Sequence, residues 1–260
     1  MAISSNALFH FVNKREYLEK ILKGDFAPRY CLEHFDFKLL QLKDIYILMK
    51  CFCDIPLSQI TNHTKTYGNY GIGFTKEWGK KNGISPIIYV YKSSDTYKSI
   101  QRIYSDNLNE AYNEYQKKKT ETARNKIFEA LSIIAYIKPI EGKMEREGES
   151  IDVLFYNERE WRFVPNKLLK NNNGIMNETL ILPSDMIDKN PNLKNVLNNL
   201  AERNSKIRYA PEDVKYIFVK NEADKDYICN KLMGFDNFNE NQKLKMISKI
   251  LTIKQIEEDF

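Results

Sequence analysis

The sequence predicts an α+β fold: a split, mixed β-sheet core with flanking helices and one inserted helical hairpin. Three observations predict it. β-type runs stand near both ends of the chain, ALFHFV at residues 7–12 and VKYIFV at 214–219. Apolar residues at helical spacing recur between them. From Thr96 onward the apolar period is continuously helical as far as about residue 137, which marks an insertion. With no internal repeat, no low-complexity segment and no Pro/Gly-rich linker, residues 1–260 read as a single domain.

Each element follows from its local pattern. ALFHFV is a short strand with Phe9 and Phe11 on one face and His10 on the other. In NKREYLEKILKGDF, Leu18, Ile21 and Leu22 fall at helical spacing, Asn13 is the expected N-cap and Gly24 the expected stop. Residues 26–48 show no clear period. MKCFCDIP reads as a buried strand ended by Pro56. The stretch up to Gly83 carries five of the ten glycines, and SPIIYVYK is strongly β-type. Ile100, Ile103, Tyr104, Leu108, Ala111, Tyr112 and Tyr115 share one helical face, Ala123, Ile127, Ala130, Leu131 and Ile134 a second, and KKKTET joins the two helices. EGKMEREGES is expected to be a charged loop, DVLFYNEREWRFVP one strand and NKLLKNNNGIMNE a loop. Leu193, Val196, Leu197, Leu200 and Ala201 mark another helix. VKYIFV is a strand, ADKDYICNKLM a helix, and a terminal helix covers about 240–258.

Composition bounds the function classes. At 42% hydrophobic and 29% charged residues the chain has enough apolar surface to fold. No apolar run approaches the roughly 20 residues of a membrane span. MAISSNALFHF lacks the pattern of a secretion signal, so a cytoplasmic protein with no membrane partner is expected. The net charge of +5 is mild. It permits RNA, DNA or an acidic partner without requiring one, and the densest basic stretch, YQKKKTETARNK, lies on a helix. Cys51 and Cys53 form C-x-C with no second ligand pair, so free thiols in a reducing compartment are expected rather than a metal site.

Two stretches carry the candidate chemistry. In YNEREWRFVP a period of two puts Tyr156, Glu158, Glu160 and Arg162 on one face, and Val153, Phe155, Trp161 and Phe163 on the other. Two carboxylates that close resist joint ionisation unless a cation sits nearby, and Arg162 is placed to be that cation. The plainer reading is a half-buried strand with a charged, exposed face and a buried Trp161. YGNYGIGFTKEWG has glycines at 68, 71 and 73, a spacing that fits neither a dinucleotide fingerprint nor a phosphate loop. Tyr67, Tyr70 and Phe74 are core residues or a stacking platform for a flat ring.

The order LFHFV, LEKILKGDF, CFCDIPLS, YGNYGIGFTKEWG, NEREWRFVP, PEDVKYIFV resembles the AbiGi-type abortive-infection proteins of bacterial phage defence over most of the chain. More distantly, the layout is similar to that of DarT-like ADP-ribosyltransferases. The resemblance implies an ADP-ribosyltransferase-like split sheet and a phage-defence, toxin-like enzyme. Such an enzyme consumes NAD as substrate, needs no metal, and transfers ADP-ribose to a macromolecule, RNA or DNA rather than protein. It implies Glu160 as the carboxylate that stabilises positive charge at the anomeric carbon, with Glu158 orienting or deprotonating the acceptor. His10 would hold the adenosine-side ribose and Tyr70 would stack on nicotinamide. Phe11, Tyr67 and Gly71 would complete the NAD site, and Arg162 would bind pyrophosphate or hold the strand's carboxylates. Two other classes stay open. AbiGi-type proteins are also described as antitoxins, which implies a non-catalytic binding module with a cognate toxin, just as the toxin-like enzyme would have a cognate antitoxin. A nuclease would draw on Asp54, Glu158 and Glu160 as Mg²⁺ ligands.

Overall fold

A computed structural model describes residues 4–34, 44–146, 148–165, 169–170, 176–177 and 180–259. Along the chain the elements begin with β1 (Ala7–Val12), α1 (Arg15–Leu22), β2 (Arg29–His34) and β3 (Asp44–Cys53). A short 3-10 turn leads into α2 (Ile60–Tyr67), β4 (Tyr70–Thr75), α3 (Lys76–Lys81), β5 (Ser85–Pro86) and β6 (Ile88–Val90). The hairpin α4 (Asp95–Lys118) and α5 (Glu121–Ile134) follows, then β7 (Ile137–Pro139), β8 (Gly142–Arg146), β9 (Glu149–Val153) and β10 (Glu160–Phe163). Next come β11 (Leu169–Lys170), β12 (Met176–Asn177), β13 (Ile181–Pro183), α6 (Ser184–Lys189) and α7 (Pro191–Asn204). The described chain closes with β14 (Val214–Val219), α8 (Glu222–Met233), α9 (Glu240–Ile247), β15 (Ile250–Thr252) and α10 (Ile253–Asp259).

The main sheet runs β15-β14-β4-β1-β3-β10-β5, with β2 and β13 also paired to β3. It is mixed: β14 and β15 are parallel, while β1 is antiparallel to β3 and β4. The α+β expectation therefore holds, with helices on both faces. The strands at the two ends of the chain become neighbours of β4, on either side of it.

β3 meets two partners along one of its edges. Its first six residues pair with β2, from Asp44↔His34 to Met49↔Arg29. On that same side, β1 meets β3 only at Phe9↔Cys53. Between these two partners the sheet opens. The Cys51 carbonyl in the gap accepts a hydrogen bond from His10 Nδ1 at 2.8 Å, so the backbone group left without a strand partner is not orphaned.

The two faces of the sheet differ. Leu8, Phe52, Ile72, Phe74 and Trp78 are buried together beneath α1 and α8. On the other face Phe9, Phe11 and Phe218 pack with Ile60 of α2 and Ile253 and Ile256 of α10. Gly71 and Gly73 make this second face possible. A Cβ on either would stand 2.8 Å from a ring carbon of Phe11 or Phe9, so the close approach that the glycines allow is that of two phenylalanine rings. A third cluster, with Ile47, Leu48, Ile134, Leu182 and Leu197, joins β3 to the inserted hairpin and α7.

The hairpin has the caps that its sequence supplies: Ser94 and Thr120 accept from the backbone amides of Tyr97 and Ala123. Its apolar faces are only partly covered. Leu108, Ala111, Ala123 and Ala130 are buried, while Ile103 and Tyr112 lie exposed. At α1 the expected N-cap is displaced by one residue: Lys14 takes the position without a side-chain bond, and Gly24 follows the helix at φ 93°.

The terminal helix expected over about 240–258 is broken into α9, the strand β15 that pairs with β14, and α10. Two further expectations fail for one reason, that a tight turn reverses the chain where strand pattern continues. EGKMEREGES is not a loop but most of a β-hairpin, with β8 and β9 paired from Gly142↔Val153 to Arg146↔Glu149. DVLFYNEREWRFVP is not one strand. β9 ends at Val153, Phe155–Glu158 form a 3-10 turn, Arg159 adopts φ 46°, and β10 starts at Glu160. Alternation therefore holds only within β10. Most of NKLLKNNNGIMNE lies outside the described residues.

Candidate functional site

β10 pairs with β3 so that Glu160 is opposite Cys53, Trp161 opposite Phe52 and Arg162 opposite Cys51. Glu160 and Arg162 thus project to the face of Phe9, Phe11, Cys51 and Cys53, and Trp161 to the other. That face carries a cleft of about 300 Å³ in the opening between β1 and β3. Phe9, Phe11, Cys51, His63, Tyr67, Lys138, Glu158 and Glu160 line it, with Met144 of the β8–β9 hairpin.

The charged faces were expected in water and are not. Glu160 is 5% exposed and Arg162 is fully buried. Arg162 Nε reaches Glu160 Oε1 at 2.6 Å and its Nη2 reaches Oε2 at 3.2 Å. The same guanidinium also binds Glu33 Oε2 at 3.1 Å and donates to the Ala135 carbonyl at 2.8 Å. Lys138, from β7, bridges the two candidate carboxylates: its Nζ is 2.8 Å from Glu158 Oε2 and 2.9 Å from Glu160 Oε2. The other Glu158 oxygen accepts from the Tyr67 hydroxyl. Three carboxylates therefore share two cations. Arg162 holds Glu160 and Glu33, Glu158 is left to Lys138 and Tyr67, and the guanidinium is not available to a pyrophosphate.

The titration behaviour follows from that packing. Burial by itself would raise the Glu160 carboxyl; Arg162 and Lys138 outweigh it and hold it below the usual range. Burial likewise opposes charge on Lys138, yet Glu160, Glu33 and Glu158 keep it well above its ordinary value. Burial raises the Tyr67 phenol, reinforced by Glu158, so it stays protonated and donates. Burial, then the Glu160 carboxylate, push the Cys51 thiol well up, so it is no nucleophile. The four cysteines Cys31, Cys51, Cys53 and Cys229 are free. Among the described residues no group of three His, Cys, Asp or Glu is arranged to hold a metal ion. Asp54 is spent on Lys76 at 2.8 Å and on the Ser5 amide.

The remaining candidates divide. Phe11 and Tyr67 line the cleft. His10 borders it, but its Nδ1 is engaged by Cys51 and its ring lies 5.4 and 5.9 Å from the rings of Phe26 and Phe52. Burial lowers its pKa to about 3, so it is neutral at physiological pH. Tyr70 is not in the cleft. Strand alternation from Gly71 turns it to the other face, where its hydroxyl donates to Asp224 at 2.9 Å and Asp224 also holds Arg15. Gly71 acts through the room it leaves for Phe11. Lys138 and Glu33 carry no expectation from the sequence, and His63 enters there only as the histidine between CFCDIPLS and YGNYGIGFTKEWG and as a weak metal-ligand candidate beside His10 and His34. Lys138 sits in a short strand between apolar neighbours, and a lysine inside IKPI is the one signal that pointed to it. Nothing local marks Glu33.

A second, wider cleft of about 720 Å³ adjoins the first. His63, Tyr67 and Glu158 belong to both. Its remaining wall comes from Ile151–Leu154 and the turn after β9 on one side, and from Ser58, Gln59 and Asn62 on the other.

Comparison with known proteins places this architecture. Residues 24–220 match the family model described as "Putative abortive phage resistance protein AbiGi, antitoxin". The chain belongs to the AbiGi family. A curated relative, "Abortive phage resistance protein AbiGi" of Lactococcus lactis subsp. cremoris, is 28% identical over 255 residues, covering 90% of this chain and 99% of that protein. No solved structure matches the chain. The family assignment accords with the resemblance read from the motifs, and β1 and its His10 lie outside the matched residues. Among the described residues no helix is long and apolar enough to cross a membrane.

Proposed function

We propose that this abortive-infection protein uses the cleft between β1 and β3 to bind NAD and transfer ADP-ribose to a macromolecule, with Glu160 and Glu158 as the working carboxylates. The observation that supports the reading is convergence. Phe11, Tyr67, Glu158 and Glu160 come from four separate elements and meet at one cleft with an apolar wall and a charged floor. Its volume lies at the lower end of the roughly 300–1,000 Å³ of ligand sites, and the adjoining cleft extends it. In the proposed reaction the bond from the anomeric carbon to the nicotinamide nitrogen breaks and nicotinamide leaves neutral. Glu160 stabilises the oxocarbenium-like charge, Glu158 receives the acceptor's proton, and the acceptor's lone pair forms the new bond. Lys138 permits both carboxylates to be ionised side by side. Tyr70 has no part in this site; Tyr67 takes the aromatic position expected of it.

A second reading has its own observation. Both oxygens of Glu160 are already held by cations. A carboxylate so fully neutralised suits a structural role, and the matched family is described as an antitoxin. On that reading the chain is a binding module for a cognate toxin. Labelled NAD with RNA, DNA and cell lysate separates the two, beside expression of the chain alone in cells. Label transfer and growth arrest are expected from the transferase; no transfer and normal growth would leave the binding module.

A further inference from the structure

The wall between the two clefts is made of three polar side chains, and their hydrogen bonds are unequally spent. The Tyr67 hydroxyl is committed to Glu158. Glu158 is committed to Tyr67 and Lys138. His63 is the third, and no hydrogen bond joins its ring nitrogens to another described residue. Its ring is nonetheless held in place. It stacks on Tyr67 with centroids 4.4 Å apart and planes at 28°, and Phe11 stands 5.4 Å away on the cleft wall. An oriented imidazole that lines both clefts and keeps its polar atoms unspent is placed to meet a ligand.

The kind of contact follows from its charge state. Burial lowers the His63 pKa to about 4, with Glu160 and Lys138 acting in opposite directions, so the ring is neutral at physiological pH. A neutral imidazole offers one N–H donor and one nitrogen acceptor. It is too weak a base to be matched to proton abstraction near neutrality. It has no charge for a phosphate, and Lys138, the cation that acts on it, is already held by Glu158 and Glu160. The complementary ligand group is uncharged and carries a donor beside an acceptor, as a carboxamide does.

We infer that His63 is a specificity-determining residue that accepts a hydrogen bond from the carboxamide N–H of the nicotinamide ring, backed by Tyr67 and flanked by Phe11. The inference rests on the dinucleotide reading above and adds a residue and an orientation to it: the nicotinamide end lies at the junction of the clefts, beside Glu158.

Binding of NAD and of its analogue with an acetyl group in place of the carboxamide tests this by calorimetry on the full chain. The analogue keeps the carbonyl acceptor and lacks the N–H donor. The parent protein is expected to bind NAD roughly ten-fold more tightly than the analogue, the worth of one hydrogen bond. His63→Phe keeps the stack on Tyr67 and loses the acceptor, so it is expected to bind both dinucleotides equally, at the level of the analogue. His63→Leu provides the same comparison if the larger ring unfolds the protein, and His63→Gln, which restores an acceptor, is expected to recover part of the preference. Equal binding of the two dinucleotides by the parent, or a preference that survives in His63→Phe, overturns the inference alone. Failure of the parent to bind either dinucleotide overturns the NAD reading and this inference with it.

Discussion

Glu160 and Trp161 exchange the roles that strand alternation suggests. The pattern puts the glutamate in water and the tryptophan in the core. In the folded protein Glu160 is buried between Arg162 and Lys138, and Trp161 is only half-buried, with Lys76 over its ring at 5.6 Å. The expected costs are therefore reversed. Glu160→Gln leaves Glu33 and Glu158 to balance Arg162 and Lys138, but it turns an amide N–H toward one of those cations and breaks a charge-assisted bond there, at a cost of about 2–3 kcal/mol. Trp161→Ala removes a partly exposed ring and is expected to cost about 1–2 kcal/mol. Denaturant unfolding of both variants checks this: the midpoint falls further for Glu160→Gln. A stability change near zero for Glu160→Gln would mean that the charges are not buried as described. It follows that loss of activity in Glu160→Gln counts as catalytic only if measured on the fraction that remains folded.

At the scale of elements the deciding contacts are backbone approaches. Gly68 ends α2 at φ 108°, and a Cβ there would stand 2.4 Å from Asn13 Cα and from the Val12 carbonyl oxygen. Neither is the end of a flexible side chain, so neither yields. Gly68→Ala is expected to cost on the order of 3 kcal/mol, strained backbone and clash together. Gly24 also has positive φ, 93°, but has nothing within 4 Å of its Cβ position. Gly24→Ala carries only the left-handed penalty of about 1 kcal/mol. Melting temperatures of the pair separate clash from conformation, and equal shifts would show that the β1–α2 approach is looser than drawn. The same turn sets the end of α2, which carries His63 and Tyr67, so Gly68 also fixes the wall between the two clefts.

At the scale of the whole molecule the sheet is assembled from both ends of the chain. β1 lies between β3 and β4, and β15 forms the edge beyond β14. The matched family residues, 24–220, contain neither β1 nor β15. A fragment cut to those residues loses the strand at the sheet's centre and exposes Ile72 and Phe74, which are fully buried in the intact protein. It is expected to show no cooperative thermal transition by circular dichroism, whereas the full chain melts as one unit. A fragment that melts cooperatively would mean that β1 is peripheral.

Periodicity in the sequence determined the α+β class, the helical insertion, the strands β1 and β14 and the alternation of Glu160, Trp161, Arg162 and Phe163, because each of these depends on neighbours a few residues apart. Motif order pointed to the family. Only the tertiary structure decided which face met water. The pairing of β10 with β3 buried Glu160 and Arg162, and Lys138 and Glu33, far away in sequence, supplied the partners that make that burial tolerable. It also decided between neighbouring tyrosines. Tyr67 ends a helix over the cleft, while Tyr70, three residues on and past a glycine turn, falls on the opposite face of β4 and bonds Asp224. A local pattern gives each residue's alternation along its own element; the environment of each face is set by contacts between residues far apart in the chain, and no local period encodes them.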